Sequence, residues 1–313
     1  MRIVLAWVGA VVVLAGAVVG GVAILNATVF SASAFVQDYL DALRAGRVTE
    51  VLDLPGVDPG ALDRALLDAR AREPMHATVL GSRAHGDVEE VHVAFGSGQA
   101  TGETTLDVKR IGSRFGLFPR WGFAVSPITV VSIGVTGDAR FQVGELPLDV
   151  AGGGPVAYAA LTPGTYLVHH ESRFLSSRDI TVLADGRPVN IELEVRPNAR
   201  FVEAAQAALE AELTACAEQP VLFPTGCPFG QATTDRVVSA PHWTISEMPT
   251  AQLVPSDSFG IWAIDRVAGV ARLSVDVQSL FDGRTSTHEA EVPFEASYLI
   301  GFDGDELALT PTP

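Results

Sequence analysis

The sequence predicts an α+β protein made of antiparallel sheets and led by a membrane-spanning helix. Three observations predict it. An uncharged, strongly apolar segment opens the chain. Two stretches of helical period, starting near Phe35 and Phe201, are each followed by runs that alternate apolar and polar residues. Between them, residues 128–197 carry strand-like runs and no helical pattern. The implied organisation is 1–33 as cytoplasmic stub and transmembrane anchor, 34–127 as an α+β domain, 128–197 as a small β-sandwich, and 198–313 as a second α+β domain.

No side chain from Ile3 to Gln37 is charged, and the apolar run Ile3–Leu25 is 23 residues long. At about 1.5 Å per residue it exceeds the ~30 Å hydrocarbon core. A cleavable signal peptide competes, since Ala32-Ser33-Ala34 fits a small-x-small cleavage site. The run is nevertheless longer than the ~7–15 residues of a signal's apolar region. Arg2 precedes the run and Asp38 and Asp41 follow it. The expected topology is therefore single-pass at the plasma membrane, N-terminus cytoplasmic and bulk of the chain extracytoplasmic. Gly16 and Gly20 have the G-x-x-x-G spacing through which two such helices can pair, though Gly, Ala and Val are so common here that chance produces it.

In the first domain Phe35, Val36, Tyr39, Leu40 and Leu43 form one helical stripe, which Gly46 can stop. A second helix is expected over about 59–72, carrying Leu62, Leu66 and Leu67. Period-two strands follow: Val91, Val93 and Phe95, then Leu106 and Val108, with Phe115, Phe118, Trp121 and Phe123 closing the region. The sandwich is read from four runs, "ITVVSIGV", "ARFQVGELPLDV", "VAYAALTPGTYLVHH" and "DITVLADGRPVNIELEV". Asp185-Gly186 signals a hairpin and Gly152–Pro155 a loop. The last domain opens with a helix placing Val202, Ala205, Leu209 and Leu213 on one face, then five strand-like runs. Phe201-Val202…Ala208-Leu209 repeats the register of Phe35-Val36…Ala42-Leu43, suggesting two similar units.

The segment Leu161-Thr-Pro-Gly-Thr-Tyr166-Leu-Val168 resembles the "L-x-P-G-x-Y-x-V" strand of PEGA-like surface β-sandwich modules. A helix leading into a curved antiparallel sheet resembles the NTF2/cystatin-like architecture. The whole plan is similar to Gram-positive membrane-anchored envelope proteins of the teicoplanin-resistance-associated type. The cytoplasmic zinc ribbon usual in those proteins is missing here, and the resemblance implies an architecture without carrying over any site residue.

Composition excludes more than it assigns. With 21 Lys+Arg against 37 Asp+Glu the net charge is −16; such a surface should be repelled by phosphate backbones and by anionic lipid headgroups, so nucleic acid is not an expected partner. Lys109 is the only lysine, which removes most lysine-based mechanisms. Cys216 and Cys227, the only cysteines, flank ten residues that include Pro220, Pro224 and Gly226. That loop can turn back on itself, and outside the membrane oxidation is favoured, so a disulfide worth at most about 3 kcal/mol is expected. Unpaired thiols are the competing reading. A C-x-x-C redox pair has different spacing, a zinc site lacks two ligands, and a catalytic cysteine would have only His242 nearby.

None of the common catalytic motifs occurs, and no cofactor or metal is expected. His169 and His170 should lie at an exposed strand edge, pointing to opposite faces. His76, His85 and His92 are scattered, Trp243 and Trp262 read as core, and Glu289 and Glu291 as a solvated strand face. The expected function is a non-catalytic envelope module held in the membrane through residues 3–25. It would bind a wall polymer or an envelope protein. The alternatives are an envelope enzyme acting on a glycan or peptidoglycan, or a small-ligand binder using an NTF2-like pocket; a cleaved, secreted protein is a further reading.

Overall fold

The computed structural model describes residues 2–150, 154–256, 258, 260–303 and 306–312, without the side chains of 2–6, 8–12, 302, 303 and 306. The protein is α+β with antiparallel sheets and few helices. Two compact units partition the chain. The first takes Met1–Val135, Arg140–His169 and Arg178–Leu193; the second takes Thr136–Ala139, His170–Ser177 and Glu194–Pro313. The stretch 128–197 is thus shared between both units.

Helix α1 runs Arg2–Ala27. Nine of the 23 residues in the expected span Ile3–Leu25, 3–6 and 8–12, have side chains outside the described ones. Among the described residues no single helix is long and apolar enough to cross a membrane; Val13–Ala27 passes only together with Ala32–Arg44, across a 44° bend. The described stretch Val13–Ala27, about 22 Å long, falls short of a bilayer core by itself.

Helix α2 (Ala32–Arg44) does not extend that span, because its apolar face is already covered by protein. Ser31 caps it, its hydroxyl accepting from the Ala34 N–H at 3.1 Å. Ala32, Val36, Tyr39, Leu40 and Leu43 are buried, repeating at three to four residues. Burying side chains the size of Val36, Leu40 and Leu43 contributes about 1.5–3 kcal/mol each. Gly46, at φ +68, takes the left-handed position after the helix end. A short helix α3 (Val48–Leu52) follows.

The helix expected over 59–72 is two 3₁₀ turns, Ala65–Leu67 and Ala69–Ala71. The Asp63 and Asp68 carboxylates accept from the backbone N–H groups of Ala65 and Arg70, a local alternative that competes with helix. Leu66 and Leu67 are buried all the same.

Strands β1 (His76–His85), β2 (Val88–Ser97), β3 (Ala100–Arg114) and β4 (Phe118–Phe123) form a meander in that order. Val91, Val93, Phe95, Leu106 and Val108 share one buried cluster with the α2 face, as their alternation predicts. Ala159 and Leu161 from the next region join the same cluster, so helix, meander and the following strands share a core within the first unit.

Next come β5 (Ile128–Thr136), β6 (Arg140–Val143), β7 (Leu146–Asp149), β8 (Val156–Leu161), β9 (Gly164–His169), β10 (Leu175–Ser177), β11 (Ile180–Ala184) and β12 (Val189–Pro197). They make two four-stranded sheets, β10-β12-β5-β8 and β11-β9-β6-β7. Phe141 of one sheet meets Tyr158 of the other edge-on at 6.5 Å. Only part of Gly152–Pro155 lies within the described residues. Asp185-Gly186 does not close a hairpin: β11 pairs with β9 while β12 belongs to the other sheet. The turn instead carries the chain between sheets, fixed by Thr104 Oγ1 donating to Asp185 O at 2.6 Å and Gly186 N–H donating to Thr129 Oγ1 at 2.9 Å.

In the second unit, Asn198 caps helix α4 (Ala199–Ala217) by accepting from the Phe201 N–H at 3.1 Å. The buried face is Phe201, Ala205, Leu209, Leu213 and Cys216. Val202, expected inside, is exposed, because Phe201 takes the inward place against Phe174 and Trp262 at ring distances of 5.4 and 6.2 Å. The two helix stripes differ only at their start, where α2 buries Val36; further along, Ala205 and Leu209 match the buried Tyr39 and Leu43. Strands β13 (Arg236–Val237), β14 (His242–Glu247) and β15 (Leu253–Pro255) all pair with the long β16 (Trp262–Gln278). The sheet continues through β17 (Thr285–Asp303) and β18 (Glu306–Thr312). Two runs that read as separate strands are thus one strand, β16, with a register shift between Ile264 and Val267 and Arg266 at φ +37.

Candidate functional site

Cys216 and Cys227 are joined by a disulfide with Cα atoms 5.7 Å apart. Cys216 ends the buried face of α4, and Gln219 ties down the loop beyond it. Its Oε1 accepts from the Thr225 N–H at 2.8 Å and its Nε2 donates to Thr225 O at 3.2 Å. The bonded sulfurs offer neither a nucleophile nor a metal ligand. Just past the bridge, Phe229 packs on Trp243 and Phe294 at 5.0 and 5.4 Å. The Trp243 Nε1–H donates to Val221 O at 2.8 Å. Trp243 and Trp262 are both buried in this core. The inner face of the second unit's sheet is occupied by aromatic and aliphatic side chains at these positions.

The histidines do not converge. His76 and His85 stand at opposite ends of β1, about 30 Å of strand apart. His92 bonds Thr105 across β2–β3 at 3.1 Å. His169 and His170 are not an exposed edge: His169 is half-buried, while His170 is buried, with Ser172 Oγ 3.2 Å from its Nε2. Hydroxyls supplied by its own β9–β10 connection make that burial tolerable. Glu289 and Glu291 are exposed, and Arg272 pairs with Glu291 at 2.6 Å. No group of three metal-ligating side chains exists among the described residues.

A buried polar cluster surrounds the Leu161-Thr-Pro-Gly-Thr-Tyr166 turn. The Tyr39 hydroxyl, reaching over from α2, donates to Thr162 O at 2.5 Å. The Tyr166 hydroxyl accepts from the Leu161 N–H at 2.9 Å, and Thr129 and Thr162 share a hydroxyl bond of 2.7 Å. Burial, then the neighbouring Tyr166, pushes the Tyr39 phenol well above its usual value, with Arg72 acting the other way. Burial likewise pushes Tyr166 up to about 12, opposed by Arg72 and the bond to Leu161. Both phenols stay protonated at neutral pH, and their bonds tie α2 to the turn between β8 and β9.

A cleft of about 450 Å³ opens where the α1–α2 junction meets the rim of the meander, lined by Asn26, Ser31, Ser82, Arg110, Ser113 and Trp121 among others. Asn26 Nδ2 donates to Leu117 O at 3.0 Å, Trp121 Nε1 donates to Phe30 O at 2.9 Å, and the Phe30 and Phe118 rings lie 4.4 Å apart. These contacts fix the β3–β4 hairpin beside the end of α1. Its tip is basic and aromatic, and Phe115 is 86% exposed there. Averaging charge over the whole chain conceals this feature; a window from Val108 to Gly137, which holds no Asp or Glu, exposes it. No family model, curated protein or solved structure matches this chain.

Proposed function

We propose that the protein is a non-catalytic module held in the plasma membrane by α1, with its two folded units on the extracytoplasmic side, where they bind a wall polymer or an envelope protein. The observation that carries this reading is the bare apolar surface of α1. From Val13 to Leu25 its side chains are exposed, apart from half-buried Val22, and Val13, Leu14, Val18, Val19 and Ile24 meet no protein surface that would cover them. Apolar surface on this scale needs another covering. The full α1, at 26 residues, is about 39 Å long, enough to cross a ~30 Å hydrocarbon core. Arg2 before the run and Asp38 and Asp41 after it favour an inside N-terminus.

Retention of the segment, as opposed to cleavage at Ala32-Ser33-Ala34, is favoured by what a cut there removes. Ser31 caps α2, Ala32 is fully buried, and Phe30 accepts the Trp121 indole. Losing the cap alone costs about 1 kcal/mol. The filled interior around Phe229, Trp243 and Phe294 favours a binding surface over a small-ligand pocket of NTF2-like kind. Protease added to intact cells should degrade the chain beyond about residue 31 and leave a membrane-embedded stub. Full protection of the chain, or a mature form in the medium starting near Phe35, would refute the reading.

A further inference from the structure

Lys109, Arg110, Arg114 and Arg120 crowd one hairpin in a chain of net charge −16, and no acidic residue occurs between Asp107 and Asp138. None of the four forms an ion pair among the described residues, where Arg110 instead lies over the Trp121 ring at 5.3 Å. Apolar side chains stand among them: Ile111, Phe115 and Leu117 are all exposed. The β2–β3 pairing ends at Val88↔Lys109, so β3 runs on to Arg114 past the β1–β2 turn. The tip therefore projects by about 16 Å. At its apex Phe115 sits at φ +58, a backbone region bulky L-residues rarely occupy and which Gly or Asn would fill at lower cost. Strain spent to hold a phenylalanine in water at a tip points to a role outside folding.

We propose that this hairpin tip docks on the headgroup layer of an anionic bilayer, with Phe115 and Leu117 entering the interface and the arginines meeting lipid phosphates. Basic side chains beside exposed Phe, Leu and Ile are the composition of interfacial binding surfaces. The position agrees with the chemistry. Asn26 on the last turn of α1 bonds Leu117 O at 3.0 Å, so the tip lies beside the helix end at which the anchor would leave the membrane. The inference rests on the anchoring role given to α1. Its consequence is that the first unit has a defined orientation on the membrane and does not swing about the 28–31 junction.

The test uses the full chain in lipid nanodiscs. Because both native cysteines are bonded, Ser113→Cys and Val19→Cys each add one free thiol for an environment-sensitive fluorophore. The dye at position 113 should shift to the blue and lose emission to headgroup spin-labelled lipid in phosphatidylglycerol discs. Both signals should be several-fold weaker in phosphatidylcholine discs, and when Arg114→Glu and Arg120→Glu are added. The dye at position 19 should be quenched by chain-labelled lipid in every case. A tip dye that ignores lipid charge, or that stays quenched in the charge-reversed variant while position 19 is embedded, overturns the docking proposal alone. A dye at position 19 that remains in water overturns the anchor and the docking together.

Discussion

Replacing Tyr39 by Phe isolates the joint between α2 and the β8–β9 turn. The substitution keeps the ring, which is 1% exposed and packs edge-on against Phe123 at 5.0 Å. It removes only the hydroxyl that donates to Thr162 O at 2.5 Å. Because nothing large is deleted, there is no cavity to account for; the cost is that of a buried carbonyl left without its donor, about 1–3 kcal/mol. At roughly 2–4 °C per kcal/mol for a unit of this size, a loss of 2 kcal/mol lowers the melting temperature by about 4–8 °C. Thermal unfolding of the full chain in detergent, followed by circular dichroism, reads the shift. Hydrogen exchange of peptides from β8 and β9 attributes it to the first unit, since two units need not melt together. A Tyr39→Phe protein melting within about 1 °C of the parent would refute the reasoning, showing that the bond is matched by solvent or by another donor.

Three further outcomes follow from the same structure. The buried Tyr166 phenol, pushed up to about 12 from an unfolded value near ~10, keeps its proton in the folded chain after the unfolded chain has lost it. Stability is therefore full below pH ~10 and falls on the order of 2–3 kcal/mol as the pH rises towards ~12; Tyr166→Phe should flatten that slope in alkaline denaturation, and an unchanged slope would contradict the assignment. The Cys216–Cys227 bridge spans a sequence separation of 11, so its removal by paired Ser substitutions should cost at most about 3 kcal/mol. Denatured chain should bind thiol reagent only after reduction, and labelling without reductant would exclude the bridge. Gly56, at φ +88 with the Phe123 carbonyl where a Cβ would go, should not accept Ala without losing more than about 1 kcal/mol in thermal unfolding; a neutral substitution would show that this turn is free to shift.

Much of the fold is written in local pattern. The alternation of Val91, Val93 and Phe95, the stripe from Val36 to Leu43 and the stop at Gly46 mark their elements because each face is covered by whatever packs on it, and period alone selects the face. The spacing of Cys216 and Cys227 was legible for a similar reason, since a short turning loop constrains both ends. Part of what escaped is decided by distant partners, and part by local bonds and charges that period and composition do not report. Asp185-Gly186 has hairpin chemistry, yet Thr104 and Thr129 bend it into a crossing between sheets. Phe201 displaces Val202 because Phe174 and Trp262 wait on the inner side. Asp63 and Asp68 turn a leucine-bearing segment into 3₁₀ turns through bonds two residues long. The basic tip from Lys109 to Arg120 was hidden by a net charge summed over residues that never meet.

The central claim is that α1 lies in a bilayer, and extraction of cell membranes with alkaline carbonate tests it most directly. The intact chain should remain with the membrane pellet, while a chain lacking residues 1–27 should be released to the supernatant. Release of the intact chain by carbonate alone would contradict the account, and the exposed valines and leucines of α1 would then require a protein partner to cover them.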